Sequence, residues 1–331
     1  MSVLDFLRNK YDEHLRNVRY KKALKLKEDE YEEYLVSYYA EMMNKFEYSK
    51  NKQLDFNNPT TFTEKIQWLK LYDQDPRKGL YSDKYEVRTH IKTSIGEKYL
   101  NDLITIDGRD VFYDSKDIDF NKLPNQFVLK CSHASHFNYI IKDKSSLSKK
   151  DIKKIKKQLN KWLKIRYAFV NGLELQYELT KPSIIIEKYL SIDDDLPDYK
   201  FFCFSGEVKF AWVDIGRYSG KHKRVIFNPY NPKELFNFQM GGRDQFLSVD
   251  HLVLPNNYKE MLSIAEKLSE DFSFVRVDLY SVDEKIYFGE LTFSSGSGFR
   301  CPDPKEKDID LGEYIMIDKS RRDNCFKYRK H

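Results

Sequence analysis

Cysteine is scarce in this chain: Cys131, Cys203, Cys301 and Cys325 are spread through 331 residues with no CxxC pair. That spacing excludes a sequence-evident zinc site and fits a reducing compartment. Long apolar runs are missing as well. None approaches the roughly 20 residues that span a bilayer, and no apolar segment of signal-peptide type follows Met1, so a cytoplasmic protein is expected. Excess charge is small, since 57 Lys and Arg against 52 Asp and Glu leave +5. That surplus does not imply a nucleic-acid partner. What is present is core-forming material: 40% hydrophobic and 15% aromatic residues exclude a disordered chain. The length allows one large domain or two ordinary ones.

Basic residues concentrate in Lys149–Lys164 and in the tail Lys319–Lys330. Both can be solvated surface, but Arg321, Arg322, Lys327, Arg329 and Lys330 also suit the anionic inner face of a membrane. Up to about Tyr48 neither Pro nor Gly occurs, and Leu4, Leu7, Tyr11, Leu15 and Val18 recur at helical spacing. Asn57-Asn58-Pro59-Thr60 ends that stretch, and Thr61 with Glu64 forms a capping box for a helix turning Ile66, Trp68 and Leu69 inward. A break over Asp73–Gly79 precedes a helical segment from Ser82.

After Pro124 the pattern changes. Phe127–Lys130 and Tyr139–Lys142 read as strands joined by the loop Cys131–Asn138. Ser148 and Asp151 cap a helix reaching about Arg166. Ile184–Glu187, Tyr199–Phe204 and Val208–Val213 read as strands, the last two turning at Ser205-Gly206. Met261, Ile264, Ala265 and Leu268 mark another helix. The whole is α+β with antiparallel hairpins, without the regular βαβ alternation of a doubly wound sheet.

The most informative stretch is Val275–Thr292, two strands turning near Asp283-Glu284. Alternation puts Arg276 and Asp278 on one face and Val275, Val277 and Leu279 on the other. A pivot at Glu284 sets Asp278 opposite Glu290 and Arg276 opposite Thr292. Facing carboxylates repel unless a cation sits between them, and Mg²⁺ suits a site of one or two carboxylates plus phosphate oxygens. An exposed hairpin with Arg276 paired to one carboxylate is the alternative. Ser294-Ser295-Gly296-Ser297-Gly298 follows, small enough to bring backbone N–H groups near an anion. Upstream, Lys130 ends a strand before the hydroxyl-rich run Cys131–Asn138, which has the chemistry of a phosphate cradle. His133 and His136 lack a matching carboxylate or cysteine and are expected as polar lid residues.

These segments, in order, resemble the ATP-grasp superfamily and within it the TupA-like branch associated with surface-polysaccharide biosynthesis, such as capsule and O-antigen. The resemblance runs from Asn58-Pro59-Thr60-Thr61-Phe62-Thr63-Glu64-Lys65 through Ser82–Arg88, Phe127–Asn138, Ile185–Leu190, Asp198–Gly206 and His222-Lys223-Arg224 to Val275–Gly298. It implies an ATP-grasp fold of two α+β subdomains gripping ATP behind a helical N-terminal region. The divisions would be 1–78 for the N-terminal region, with acceptor recognition; 79–180 for the lid subdomain; 181–317 for the hinge and metal subdomain; and 318–331 for the basic tail.

It also implies roles. Lys84 and Lys130 would hold nucleotide phosphates and Lys200 a further nucleotide group. Glu187 would meet the adenine edge, with the backbone of Lys188 and Tyr189 as hinge. Asp194, or Asp193 or Asp195 beside it, would bind ribose. Ser132, His133 and Ser135 would belong to the lid. Asp278, Glu290 and Thr292 would hold Mg²⁺, with Thr292 standing where the family usually has Asn. Arg276 would steady the transferring phosphoryl group. The lid carries Ala134 and His136 where the family usually has glycines. Arg217, His222, Lys223 and Arg224 are candidates for an acidic acceptor, with Ser295, Gly296 and Ser297 beside them. The chemistry implied is ligation of an amino acid or other amine to a uronic-acid carboxyl of a glycan or nucleotide sugar, through an acyl phosphate. A glycosyltransferase using a sugar nucleotide is the alternative, and a non-catalytic ATP-binding partner protein a third reading.

Overall fold

The computed structural model describes residues 18, 21–23, 25–45, 55–169, 172–190, 197–215, 223–240, 252 and 254–324. In chain order its longer helices are α1 (Glu28–Lys45), α2 (Phe62–Tyr72), α3 (Pro76–Ser82), α4 (Val87–Ser94), α5 (Lys149–Trp162), α6 (Tyr258–Ser269) and α7 (Glu306–Glu313). Its strands are β1 (Val111–Phe112), β2 (Phe127–Cys131), β3 (Asn138–Ile141), β4 (Ile184–Lys188), β5 (Asp198–Phe204), β6 (Glu207–Ile215), β7 (Lys223–Phe227), β8 (Gln239–Met240), β9 (Val275–Val282), β10 (Lys285–Thr292) and β11 (Pro302–Asp303).

The first sheet is antiparallel, in the order β1-β4-β2-β3. Period-two alternation turns Phe127, Leu129 and Cys131 into a core shared with Ile184, Ile186 and the α5 residues Ile155 and Leu159. The Ser148–Asp151 capping box starts α5. The helix stops at Trp162, short of Arg166, and Trp162 lies flat on Phe137 at 5.0 Å.

The second sheet, also antiparallel, has the order β10-β9-β5-β6-β7. One face places Tyr199, Phe201, Cys203, Val275, Val277 and Leu279 against Met261, Ile264, Ala265 and Leu268 of α6. The other face packs Phe202, Phe204, Phe210 and Trp212 with the N-terminal helices α1 and α2. Phe62 meets Phe274 edge-on at 5.3 Å. The N-terminal helices therefore share a core with the second sheet. Because α2 is covered on all sides, Gln67 and Lys70 are buried along with Ile66, Trp68 and Leu69. Its capping box is formed by Thr61 and Glu64. The break after it is shorter than Asp73–Gly79, because the Asp75 carboxylate accepts from the Arg77 N–H and starts α3 at Pro76. Among the described residues no helix is long and apolar enough to cross a membrane.

Candidate active site

Along β5 one face runs Phe204, Phe202, Lys200, Asp198, changing from apolar to charged in alternate residues. Lys200 pairs opposite Asp278 on β9, and Asp278 pairs opposite Glu290 on β10, with Arg276 opposite Thr292. The hairpin reaches that register by a route different from the expected pivot at Glu284. Asp283 and Glu284 both have positive φ, 49° and 63°, forming a two-residue turn that pairs Lys285 with Val282 and Phe288 with Leu279. Continued, this register would set Gly289 opposite Asp278. A bulge between Phe288 and Glu290 instead leaves Gly289 unpaired and brings Glu290 into place.

Arg276 occupies the space between the two carboxylates. Its Nε donates to Asp278 Oδ1 at 2.6 Å and its Nη2 to Asp278 Oδ2 at 2.7 Å. Nη2 also reaches Glu290 Oε1 at 2.8 Å and Thr292 Oγ1 at 3.0 Å, while Nη1 donates to Ser295 Oγ at 3.0 Å. Lys200 Nζ donates to Asp278 Oδ2 at 2.6 Å and to Asp198 Oδ2 at 2.5 Å. The cation between the facing carboxylates is thus Arg276, supplied by the protein, while Lys200 bridges Asp278 to Asp198 on the other side. Burial pushes Asp278 up against the pull of Arg276 and Lys200. Desolvation would also raise Glu290, but Arg276, Lys200 and Lys84 hold it down at about 2.

The donor set fits Mg²⁺ better than a cation needing an all-protein cage. Glu290 is 43% exposed, and its Oε2 takes no hydrogen bond from the described residues. Thr292 and Asp278 flank it, and among the described residues no group of three or more His, Cys, Asp or Glu converges. Two carboxylates and a hydroxyl suit an ion that fills its shell with water and phosphate oxygens.

The second cluster lies on the first sheet. Lys130 Nζ donates to Glu187 Oε2 at 2.6 Å, and Asn101 Nδ2 reaches the same oxygen at 3.3 Å. Burial would raise Glu187, and Lys130 overcomes it to hold the carboxyl below its usual value. Lys188 lies at the strand end, its N–H donating to Asp102 O and its carbonyl accepting from Asn101. Tyr189 follows β4 outside regular structure. Lys84 Nζ donates to Ala134 O at 2.5 Å, and burial lowers its pKa while the Glu290 charge opposes that shift. Lys84 lies on the segment between α3 and α4, and its backbone N–H donates to Ser132 O at 3.0 Å.

The expected lid divides in two. Ser132 is fully buried, its Oγ donating to Asp83 Oδ2 at 2.7 Å and accepting from Ser183 Oγ at 3.0 Å. His133 is 1% exposed, and among the described residues neither ring nitrogen has a hydrogen-bond partner within bonding geometry. The outer part holds Ser135, in contact with His136, where φ is 63°. Arg224 also differs from expectation. It is 4% exposed, donates to both Asp214 oxygens and to Met240 O, and lies 3.6 Å over Trp212. Its guanidinium is spent inside the fold, so it is not available to an acceptor. Asp193, Asp194, Asp195, Arg217, His222 and the Lys223 side chain lie outside the described residues.

A sequence profile of the TupA-like ATPgrasp family matches residues 64–316. The chain belongs to the TupA-like ATP-grasp family. Among solved structures, a D-alanine–D-alanine ligase from Bacillus anthracis is 16% identical, with a TM-score of 0.41, over 76% of this chain and 69% of that one. An L-amino acid ligase from Bacillus licheniformis is 13% identical, with a TM-score of 0.38, over 78% and 55%. The ATP-grasp ligase PsnB with minimal precursor, Mg and ADP is 9% identical, with a TM-score of 0.36, over 81% and 66%. No curated protein matches the sequence.

This ATP-grasp chain holds its small-residue loop by groups that no local motif announces. Glu174 accepts from Ser294 Oγ at 2.5 Å and from Ser297 Oγ at 3.0 Å. Gln67 donates to Gly298 O at 2.7 Å, and Lys70 to Ser297 O at 2.8 Å. Burial lowers Lys70 to about 7, with Glu174 opposing. Gly296, Ser297 and Gly298 take φ of 59°, 57° and 71°, a left-handed turn that presents Ser295 to Arg276. Asp198, which accepts from Lys200, carries only one sign in the sequence, its even spacing from Lys200 on a strand.

Proposed function

We propose that this TupA-like ATP-grasp protein is an ADP-forming carboxylate–amine ligase. ATP would phosphorylate a carboxylate, and an amine would displace phosphate from the acyl phosphate to give an amide. A carboxylate is a poor electrophile because oxide would have to leave, and phosphorylation supplies a workable leaving group. The observation that carries the reading is the single charged face on which Arg276, Asp278, Glu290 and Thr292 meet.

In this reading Glu290, Asp278 and Thr292 hold Mg²⁺, which when bound neutralises phosphate charge. Arg276 gives up part of its hold on the carboxylates to steady the outer phosphate, while Lys84 and Lys130 take the inner ones. Glu187, released from Lys130, meets the adenine edge. Ser295, Gly296 and Ser297 line the place where the carboxylate enters. The outer lid around Ser135 excludes water from the acyl phosphate. The substrates proposed are an amino acid and a uronic-acid carboxyl of a surface-glycan precursor.

Incubation with ATP, Mg²⁺, candidate uronic acids and hydroxylamine tests the reading. ADP, orthophosphate and a hydroxamate are expected. AMP with pyrophosphate would overturn the acyl phosphate, and UDP release from a sugar nucleotide would favour glycosyl transfer.

A further inference from the structure

We propose that the outer face of α5 docks electrostatically on an anionic lipid surface. Every exposed residue of this helix is a lysine: Lys149, Lys150, Lys153, Lys154, Lys157 and Lys161. At 3.6 residues per turn these six fall within a fan of about 140°, on a helix about 21 Å long. The opposite face carries Ile155 and Leu159 into the first-sheet core, with Ile152 and Trp162 packed beside them. Asp151 is the one acid on the helix, and it is engaged by the Ser148 cap and by Lys154 at 3.6 Å. The face is cationic along its whole length.

Its chemistry selects among anionic partners. Its exposed side chains include no arginine fork, no amide and no aromatic ring, the groups that read a sugar or a base by shape, and the half-buried Asn160 within the fan is engaged by Ser115 and Asp114. Lysine ammoniums on a convex helix are point charges matched to a diffuse negative potential, such as that of acidic phospholipid headgroups. With no apolar side chain exposed among them, the contact is superficial and salt-sensitive. The basic tail is less suited where it is described, because Arg321 turns back to Asp73 at 2.6 Å. Docking through α5 would leave the charged face of the second sheet untouched. It would also set the surface beside the lid, since Trp162 of α5 stacks on Phe137 of the lid loop.

The test is co-sedimentation of the full chain with phosphatidylcholine vesicles, with and without phosphatidylserine. Binding should require phosphatidylserine and fall as salt is raised. The variant K150Q/K153Q/K157Q should lower the partition coefficient at least about tenfold, while K150R/K153R/K157R keeps it. The control K233Q/K259Q/K305Q removes equal charge elsewhere and should leave binding unchanged. Thermal melts of all three should match the parent, since every substituted side chain is exposed. Wild-type indifference to phosphatidylserine, or equal binding by K150Q/K153Q/K157Q, overturns the proposal. So does lysine-dependent binding of a soluble polyuronate in place of vesicles, which would make the face a glycan reader.

Discussion

Lys200 and Asp278 sit directly opposite each other on β5 and β9, and Lys200 Nζ lies 2.6 Å from Asp278 Oδ2. With Arg276 on the same carboxylate, Asp278 is a buried anion between two cations, at 1% exposure. Removing its charge leaves both cations short of a partner in a place water does not reach. Glu290, on the rim of the same face, is in a different position.

The two carboxylates should therefore separate on mutation. Asp278→Asn should cost about 3 kcal/mol or more of stability, and Glu290→Gln about 1–2 kcal/mol, because solvent at the rim screens its pairing with Arg276. Both should abolish Mg²⁺-dependent ATP turnover. Denaturant unfolding beside an ADP-release assay checks this, and equal destabilisation by the two variants would contradict the burial argument.

Gly289 makes the register possible. A Cβ there would lie 2.9 Å from Asp278 O and 2.7 Å from Tyr280 Cε2. Gly289→Ala should destabilise by about 1–3 kcal/mol. It should also depress turnover more than a remote substitution of the same cost, because the bulge aligns Glu290 with Asp278. Comparison with a stability-matched core variant in the same assay decides whether alignment or stability is responsible.

His133 makes stability depend on pH. Burial lowers its folded pKa to about 4 from an unfolded 6.5. The folded chain thus binds fewer protons than the unfolded chain between those values. The contribution is fully present above about pH 6.5 and is lost as pH falls to about 4, a change of about 3 kcal/mol. His133→Phe should flatten that part of the unfolding free-energy curve; an unchanged slope would place the effect on other groups.

Lys84 ties the lid to the segment before α4, through Ala134 O. Lys84→Met should speed hydrogen exchange across residues 133–138 in the nucleotide-free protein. An ATP analogue with Mg²⁺ should slow exchange there in wild type and much less in the variant. No difference between the two proteins would mean that the lid is held without this lysine.

The sequence by itself determined the local and periodic features. Thr61 with Glu64 and Ser148 with Asp151 cap helices because the partners lie three residues apart in the chain. Arg276 and Asp278 share a face because strand side chains alternate, and the ordered segments from Asn58 to Gly298 carry the family resemblance. Tertiary structure decided what fills that face. Lys200 is 78 residues from Asp278, and Glu174 is 120 from Ser294, so neither contact leaves a local pattern. The Arg224 stem looks like a basic surface loop until Asp214 and Trp212 enclose it. The Gly289 bulge likewise becomes readable only once the two-residue turn sets the register it must correct. Capping and alternation act over a few residues of chain, whereas charge pairing and close approach depend on which distant strands the sheet brings together.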